Sequence, residues 1–421
     1  MSLRSTFTNA SINGWTGKGL QSYVNPQVIP FYQFPPGGQT NFQLAMSGDG
    51  STIATRWHGN SGGNFQNPIT VYIKDSNGLW QFDALVDNGG LSPPGNSVSW
   101  IDLSYDGTTL AIGGAGSTDG EAYIYIRSSG AWSLQARLTA SDSPKPTFGT
   151  GISISDDGNN IIVGCPKEST TNYGSAYIFT RSGTTWTQQQ KIVAGDQVVD
   201  DYFGTSVSMS ADGAKVAVGA PQGGLAASTT YGKAYIFTKS GSTWTQQQKI
   251  TAPTLLTLRN FGQRIRISGD GNTILVGGTG ATDAQTSPTY GGTNVYVFYY
   301  NGSTWTNTQI ISGSIGFGSD MSITYNGSLI FIGQGVRISP YSGTNNIIIS
   351  SADALRAFGG SNGLYESLTT ITPTKQNVYE MGIGMYSACS NTGDFLVTDS
   401  CGLSVSAAST DTTYLYCYTV S

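Results

Sequence analysis

The tetrapeptide pattern S-x-D-G recurs along this chain and limits it to a repeat architecture. It stands at 47–50 (SGDG), 104–107 (SYDG), 155–158 (SDDG), 210–213 (SADG) and 268–271 (SGDG). Two degenerate copies follow, TYNG at 324–327 and SNTG at 390–393. The intervals run from roughly 50 to 66 residues, long enough for one supersecondary unit that must stack on its neighbours to bury its apolar faces.

Each unit has the same internal order. An alternating run such as FGTSVSMS (203–210) leads into the Asp-Gly turn, and an apolar run such as KVAVGAP (215–221) follows. A loop of variable length comes next, then a third run, KAYIFTKS (233–240), then Gly and a Trp-led fourth run, TWTQQQKI (243–250). Asp-Gly between alternating runs is a strong hairpin signal, because both central turn positions favour φ > 0. Four runs joined in this way make an antiparallel meander, and meanders repeated radially make a β-propeller. The expected fold is all-β: a seven-bladed β-propeller of four-stranded antiparallel blades, one domain over 1–421. The blades fall at approximately 40–88, 96–140, 147–194, 202–252, 260–312, 316–372 and 380–421, the last completed by 11–24.

That completion follows from the fourth runs. Their Trp recurs as Trp80, Trp132, Trp186, Trp244 and Trp305, with Tyr365 in the sixth unit. The seventh unit stops at TYLYCYTVS, its third strand, while NGWTGKGLQSYV (13–24) resembles SGTTWTQQQKIV (182–193). The strand around Trp15 is therefore expected to join the last blade and shut the ring. TWTQQQKI also stands unchanged at 185–192. Strand alternation puts Trp186, Gln188, Gln190 and Ile192 on one side, as it does Trp80, Phe82, Ala84 and Val86 in the first unit. The glutamines then read as a polar outer edge, with Lys191 and Lys249 blocking sheet-to-sheet pairing.

The units at 148–196 and 203–252 resemble FG-GAP repeats. Phe203-Gly204 supplies the Phe-Gly start and Gly219-Ala220-Pro221 the Gly-Ala-Pro, with further starts at Phe148-Gly149, Phe261-Gly262 and Phe317-Gly318. The resemblance implies a seven-bladed propeller similar to that of integrin α-subunits, in a family of mostly non-catalytic adhesion or interaction modules. Many such repeats carry a calcium loop, D-x-D-x-D-G. Here the turns hold one acid, or two in SDDG, whereas calcium takes several oxygen ligands. No calcium or other cofactor is expected, and Asp157, Asp212 and Asp270 are assigned to the turn itself.

Composition narrows the setting. Only 11% of residues are charged and the net charge is −5, which counts against nucleic-acid binding. No apolar run approaches the ~18–20 residues that span a bilayer, and MSLRSTFTNASINGWTG has no apolar h-region. A weakly charged Gly/Ser/Thr/Asn surface without that signal points to a structural surface component of a virus or phage particle, in the virion or on an extracellular surface. The partners expected are other structural proteins of the particle or a host surface protein or glycan, with no nucleic acid and no membrane insertion. A secreted or cell-surface adhesin is the alternative, and a glycan-processing propeller enzyme a third. Cys165, Cys389, Cys401 and Cys417 lack zinc-site spacing and read as free strand thiols.

Residues that recur in every unit read as scaffold, so candidates for function are those unique to one unit. His58 is the one histidine; it cannot build a multi-His metal site, and no nucleophile-elbow motif accompanies it. Asp200-Asp201 reads as a solvated linker, and the arginines are scattered. The chain is not expected to be an enzyme. The variable second-to-third-strand loops lie at about 59–68, 114–121, 165–174, 221–232, 278–292, 333–345 and 400–412. They share one face, opposite the Asp-Gly turns, and present a binding surface on a rigid ring. Its candidate residues are Trp57, His58, Asn64, Phe65, Lys167, Glu168, Gln222, Leu225, Thr282, Asp283, Arg337 and Tyr341.

Overall fold

The computed structural model describes residues 27–30, 43–56, 69–86, 97–115, 119–168, 172–221, 232–253, 258–280, 294–313, 317–334, 354–371, 387–392, 395–400 and 414–419. Among them the regular structure is all strand, arranged as four-stranded antiparallel sheets. Six sheets each use four consecutive strands and are numbered here as blades 1 to 6: 43–86, 97–138, 151–192, 206–251, 258–312 and 317–371. A further sheet is composite, with spatial order Gln27–Pro30, Tyr414–Thr419, Phe395–Ser400, Ser387–Cys389. No helix of the described residues is long and apolar enough to cross a membrane.

The apolar cores lie between sheets rather than within them. One cluster joins Ile162, Ile178 and Ile192 of blade 3 to Phe203, Val207, Val218 and Phe237 of blade 4. The next joins Ala217, Ile236 and Ile250 of blade 4 to Phe261, Ile265, Val276 and Trp305 of blade 5. Each blade therefore buries both faces, which is why its strands are apolar on both sides. The Phe-Gly starts sit in these seams. Phe203 is fully buried and meets Tyr235 and Phe237 edge-on, with centroids 5.5 and 6.0 Å apart. Gly204 has φ +93°, and a Cβ on Gly164 of the preceding blade would overlap the Gly204 carbonyl oxygen. Close backbone approach across the seam thus requires Gly at both places.

The S-x-D-G turn differs in type from the hairpin expected. Only its Gly has positive φ, for example +67° at Gly158 and +64° at Gly213. Gly213 N donates to the Ser210 carbonyl at 2.9 Å, so Ala211 and Asp212 form an ordinary turn followed by a left-handed Gly. The side chains explain the preference. Asp212 Oδ1 accepts from Ser210 Oγ (2.6 Å) and Ala214 N (2.9 Å), while Ser210 Oγ accepts from Lys215 N (2.9 Å). The same set recurs at Ser155/Asp157 and Ser268/Asp270, so these acids serve the turn. Backbone hydrogen bonds link the turns from sheet to sheet. Asp49 donates to Tyr105, Tyr105 to Asp156, Asp156 to Ala211, Ala211 to Gly269, Asp270 to Tyr325, Tyr325 to Asn391, and Asn391 back to Gly48.

Strict alternation fails in the fourth strands. Every one in blades 1 to 6 carries a bulge against its third strand. In blade 3, Gln188 pairs with Phe179 but Gln190 with Ile178, so Gln189 is the extra residue. Trp186 and Gln188 therefore share one face, Gln190 and Ile192 the other. Gln188 reaches back, accepting from Ser141 N (3.0 Å) in the linker after blade 2. Gln190 reaches forward: Nε2 donates to Trp244 O (2.9 Å) and Oε1 accepts from Trp244 N (2.8 Å). Gln248 clamps Trp305 and Gln309 clamps Tyr365 in the same way. In blades 1, 2 and 4 the extra residue reaches forward too: Trp132, Trp186 and Trp305 donate their indole N–H to Asp83, Gln135 and Gln247, whereas Gln189 is exposed and the Trp244 indole N–H has no partner among the described residues. The QQQ run is thus a set of inter-blade clamps rather than an edge guard. Lys191 is likewise committed, donating to Asp142 (2.9 Å) and Glu168 (2.7 Å), and Lys249 donates to Asp196 (2.6 Å).

The strand that joins the last sheet is not the one expected. Gln27–Pro30 pairs with Tyr414–Thr419, Gln27 opposite Cys417, and residues 11–24 lie outside the described residues. Trp was the wrong landmark. The recurrent marker is the clamp glutamine, opposite Ile178, Ile236 and Val297 in blades 3 to 5. Gln27 holds that register position and clamps Trp80 of blade 1, donating to its carbonyl at 3.0 Å and accepting from its N–H at 2.8 Å. Replacing Gln190 by Ala should cost about 2 kcal/mol, two hydrogen bonds at roughly 1 kcal/mol each. Gln189→Ala should stay within about 0.5 kcal/mol, as surface changes do. Urea unfolding of the two variants checks the contrast, and equal effects would contradict the clamp.

Candidate functional site

Of the residues singled out by sequence for the loop face, two fall among the described residues. Trp57, His58, Asn64, Phe65, Gln222, Leu225, Thr282, Asp283, Arg337 and Tyr341 lie outside the described residues. Lys167 and Glu168 are described. The Lys167 ammonium lies 5.5 Å from the centre of the Tyr202 ring. Glu168 accepts from Ser175 Oγ (3.0 Å) and Lys191 Nζ (2.7 Å) and sits 3.9 Å from Lys145 Nζ. Asp142 completes this cluster, accepting from Tyr177 and Lys191. Burial would raise its carboxyl, but those two hydrogen bonds and the Lys191 and Lys145 charges hold it down to about 2.

Three charged groups of this face are buried, Asp201 with its partner Lys233, and Arg56. Asp201 is not solvated as the linker reading had it. It is 0% exposed, and both its carboxylate oxygens accept from Lys233 Nζ at 3.0 Å. The side chain also accepts from Val198 N (3.0 Å), so one acid fixes both the blade 3–4 linker and the third strand of blade 4. Arg56 ends the second strand of blade 1 and precedes Trp57 and His58 in the chain. It is 3% exposed, and its Nε has no hydrogen-bond partner among the described residues. Burial lowers its pKa to about 10.

The innermost strands bring together a second set that sequence reading missed. Trp100 of blade 2 lies 4.5 Å from the Arg264 guanidinium and 5.0 Å from that of Arg266, both in blade 5. Blades 2 and 5 are not neighbours, so these contacts cross the axis. Nearer the turns, Asn391 of the composite sheet donates to Asp156 of blade 3 at 2.8 Å, again across the axis. The polar residues between are spent on the next blade. Asp102 accepts from Ser153 Oγ and Ile154 N (3.0 Å each). Ser153 accepts from Met209 N (3.2 Å), Ser208 from Ile267 N (3.1 Å), and Arg266 donates to Asp320 (3.4 Å).

Two carboxyls here are pushed up. Burial raises Asp102, opposed by the Ile154 N–H, the Arg266 charge and the Ser153 hydroxyl. Burial also raises Asp156, helped by the Asp102 and Asp157 charges and opposed by Asn391. The signal for this set is uniqueness: Trp100, Asp102, Arg264 and Arg266 each stand at a position of the inner strand that no other blade fills with the same residue. Among the described residues, no group of three or more His, Cys, Asp or Glu could hold a metal ion. Cys165, Cys389 and Cys417 are free, and Cys401 lies outside the described residues.

Four-stranded antiparallel meanders set around an axis, with cores in the seams and side chains meeting across the middle, define a β-propeller. The sequence model of the FG-GAP repeat matches residues 132–179 and 186–237, so the chain carries FG-GAP repeats and fits that propeller family. Each matched stretch opens on an outer-strand Trp and ends on the third strand of the next blade, so the repeat unit straddles a seam. No curated protein sequence matches the chain. Among solved structures, a chain of the mitotic checkpoint complex is 14% identical, with 98% of this chain and 99% of that one covered and a TM-score of 0.56. Hydrazine synthase of Kuenenia stuttgartiensis is 15% identical (92% and 97% covered, TM-score 0.55). The periplasmic gluconolactonase PpgL of Pseudomonas aeruginosa is 14% identical (80% and 85% covered, TM-score 0.53). Identity this low speaks for the fold alone.

Proposed function

We propose that the chain is a non-catalytic, seven-bladed propeller, closed as one domain by Gln27–Pro30, that serves as an adhesion or assembly module. One observation supports this above all: the polar side chains along the axis are bonded to the next blade or across the channel. Catalytic acids and bases need a free approach to substrate, whereas these hold the ring together. The ligand surface is the loop face, where Arg56, which precedes Trp57 and His58 in the chain, is buried without a partner for its Nε among the described residues. Such a group costs stability unless something compensates it, and an anionic group on a partner would. The weakly charged surface favours a place on a virus or phage particle, with an adhesin as the alternative.

Binding and turnover separate the readings. The purified chain should bind a glycan or particle protein without turnover, and Arg56→Gln should weaken that binding at least 10-fold without lowering the thermal midpoint. PpgL is named a gluconolactonase, so lactones belong in the assay. Lactone opening or glycoside cleavage that is lost in Asp102→Asn would overturn the proposal.

A further inference from the structure

We propose that the turn face carries a separate binding site, a cleft at the seam of blades 5 and 6 that takes a neutral saccharide. The cleft is an open depression of about 610 Å³ lined by Asn272, Tyr299, Tyr300, Asn301, Gly302 and Asn362. That volume is within the range of small-ligand sites. It lies on the face opposite the variable loops, so it stands independently of the loop-face proposal.

The cleft is particular to blade 5. The residue opposite the outer-strand Trp is a cation in the first four blades: Lys74, Arg127, Arg181 and Lys239. In blade 5 that position is Tyr300, opposite Trp305, and the residue before it is Tyr299 where the other blades have Ile73, Ile126, Thr180 and Thr238. A charged stem has thus been exchanged for an aromatic one, and the two tyrosines take opposite faces of blade 5: Tyr300 packs toward blade 4, and Tyr299 lies beside Gly363 of blade 6. The exchange is supported from beneath. Tyr300 lies tilted against Trp305 with centroids 5.2 Å apart, and the Lys215 ammonium sits 4.7 Å from its ring centre. Lys215 in turn donates to the Gly271 carbonyl at 2.8 Å, and Tyr300 N donates to the Asn272 carbonyl at 2.9 Å. The strand end that carries Tyr299 is therefore anchored from its blade 4 side before any ligand arrives, which limits the ordering cost of binding.

The polar groups of the wall are amides and phenols. Asn301 Oδ1 accepts from Ser303 N (3.0 Å), Ser303 Oγ (3.0 Å) and Thr304 N (2.9 Å). Those bonds fix the amide and leave its Nδ2 without an acceptor among the described residues. Asn362 is exposed at the tip of the blade 6 hairpin, with φ +54°. Among the described residues no hydrogen-bond partner holds its side chain. Asn272 Nδ2 is held by Asp270 (3.1 Å), which keeps that carboxylate turned toward the protein. The lining holds no carboxylate, and its nearby cation is engaged beneath Tyr300. A charged ligand would find no counter-charge there. A neutral saccharide needs none: its hydroxyls match amide donors and acceptors, and its apolar ring face matches the amphipathic Tyr299.

Calorimetric titration of the purified chain with a panel of neutral oligosaccharides, and with sialylated and sulfated counterparts, tests this. At least one neutral member should bind, and its charged counterpart should bind no more tightly. Tyr299→Ala should weaken that binding at least 10-fold. Asn362→Gly should weaken it several-fold; it removes the amide while suiting the positive φ, so loss of fold does not confuse the result. Arg56→Gln should leave it unchanged. Three results would each overturn the site: no neutral member bound at millimolar concentration, binding untouched by both cleft variants, or preference for the charged members.

Discussion

Removal of residues 1–30 should leave a protein that unfolds at markedly lower denaturant and associates through Tyr414–Thr419. In the full chain Gln27–Pro30 pairs with that strand over four residues, Gln27 to Cys417 through Pro30 to Tyr414. Gln27 also holds Trp80 of blade 1 by two hydrogen bonds. With each such bond contributing roughly 1 kcal/mol net, the deletion should cost on the order of 5 kcal/mol. It also uncovers YLYCYT, an apolar strand, as a free edge, and free apolar edges recruit other chains. Urea unfolding and light scattering read the two effects separately. Unchanged stability with a monodisperse monomer would mean that the composite sheet does not hold the ring.

The second large effect is expected at Asp201. Its carboxylate is fully buried on Lys233, which is itself 8% exposed. Removing one member strands the other charge, so Asp201→Ala should cost about 3–5 kcal/mol. The paired change Asp201→Leu with Lys233→Met should recover most of that loss, because replacing both charges removes the desolvation penalty along with the attraction. Additive losses in the double variant would show that the pair is not acting as a unit.

The blades were legible because their repeat is written in residues that serve one unit: the Ser and Asp of each turn bond within six residues, and the Phe-Gly starts recur. What was not legible lies between units. The bulge adds one residue to each outer strand and reverses which face follows, so Ala84 and Val86, expected on the side of Trp80 and Phe82, turn to the opposite one. Gln188 and Gln190 look equivalent in a period-2 reading but bind opposite neighbours. Trp15 drew attention because an indole is conspicuous, while Gln27 carries the register. Asp200 and Asp201 look alike as adjacent acids, yet only Asp201 turns inward onto Lys233, a residue 32 positions away. Trp100 and the Arg264/Arg266 pair were each visible as unique, but only the ring brings blades 2 and 5 face to face across its axis.

The pairing of Gln27–Pro30 with Tyr414–Thr419 completes the composite sheet, and a native cysteine allows a direct reading of it. Gln27 stands directly opposite Cys417, and opposed residues of antiparallel strands lie within the Cα range that a disulfide spans. Gln27→Cys, oxidised and digested, should yield a single new disulfide joining positions 27 and 417 within one chain by mass spectrometry. A free Cys417, or a bridge from position 27 to Cys165, Cys389 or Cys401 instead, would contradict the closure.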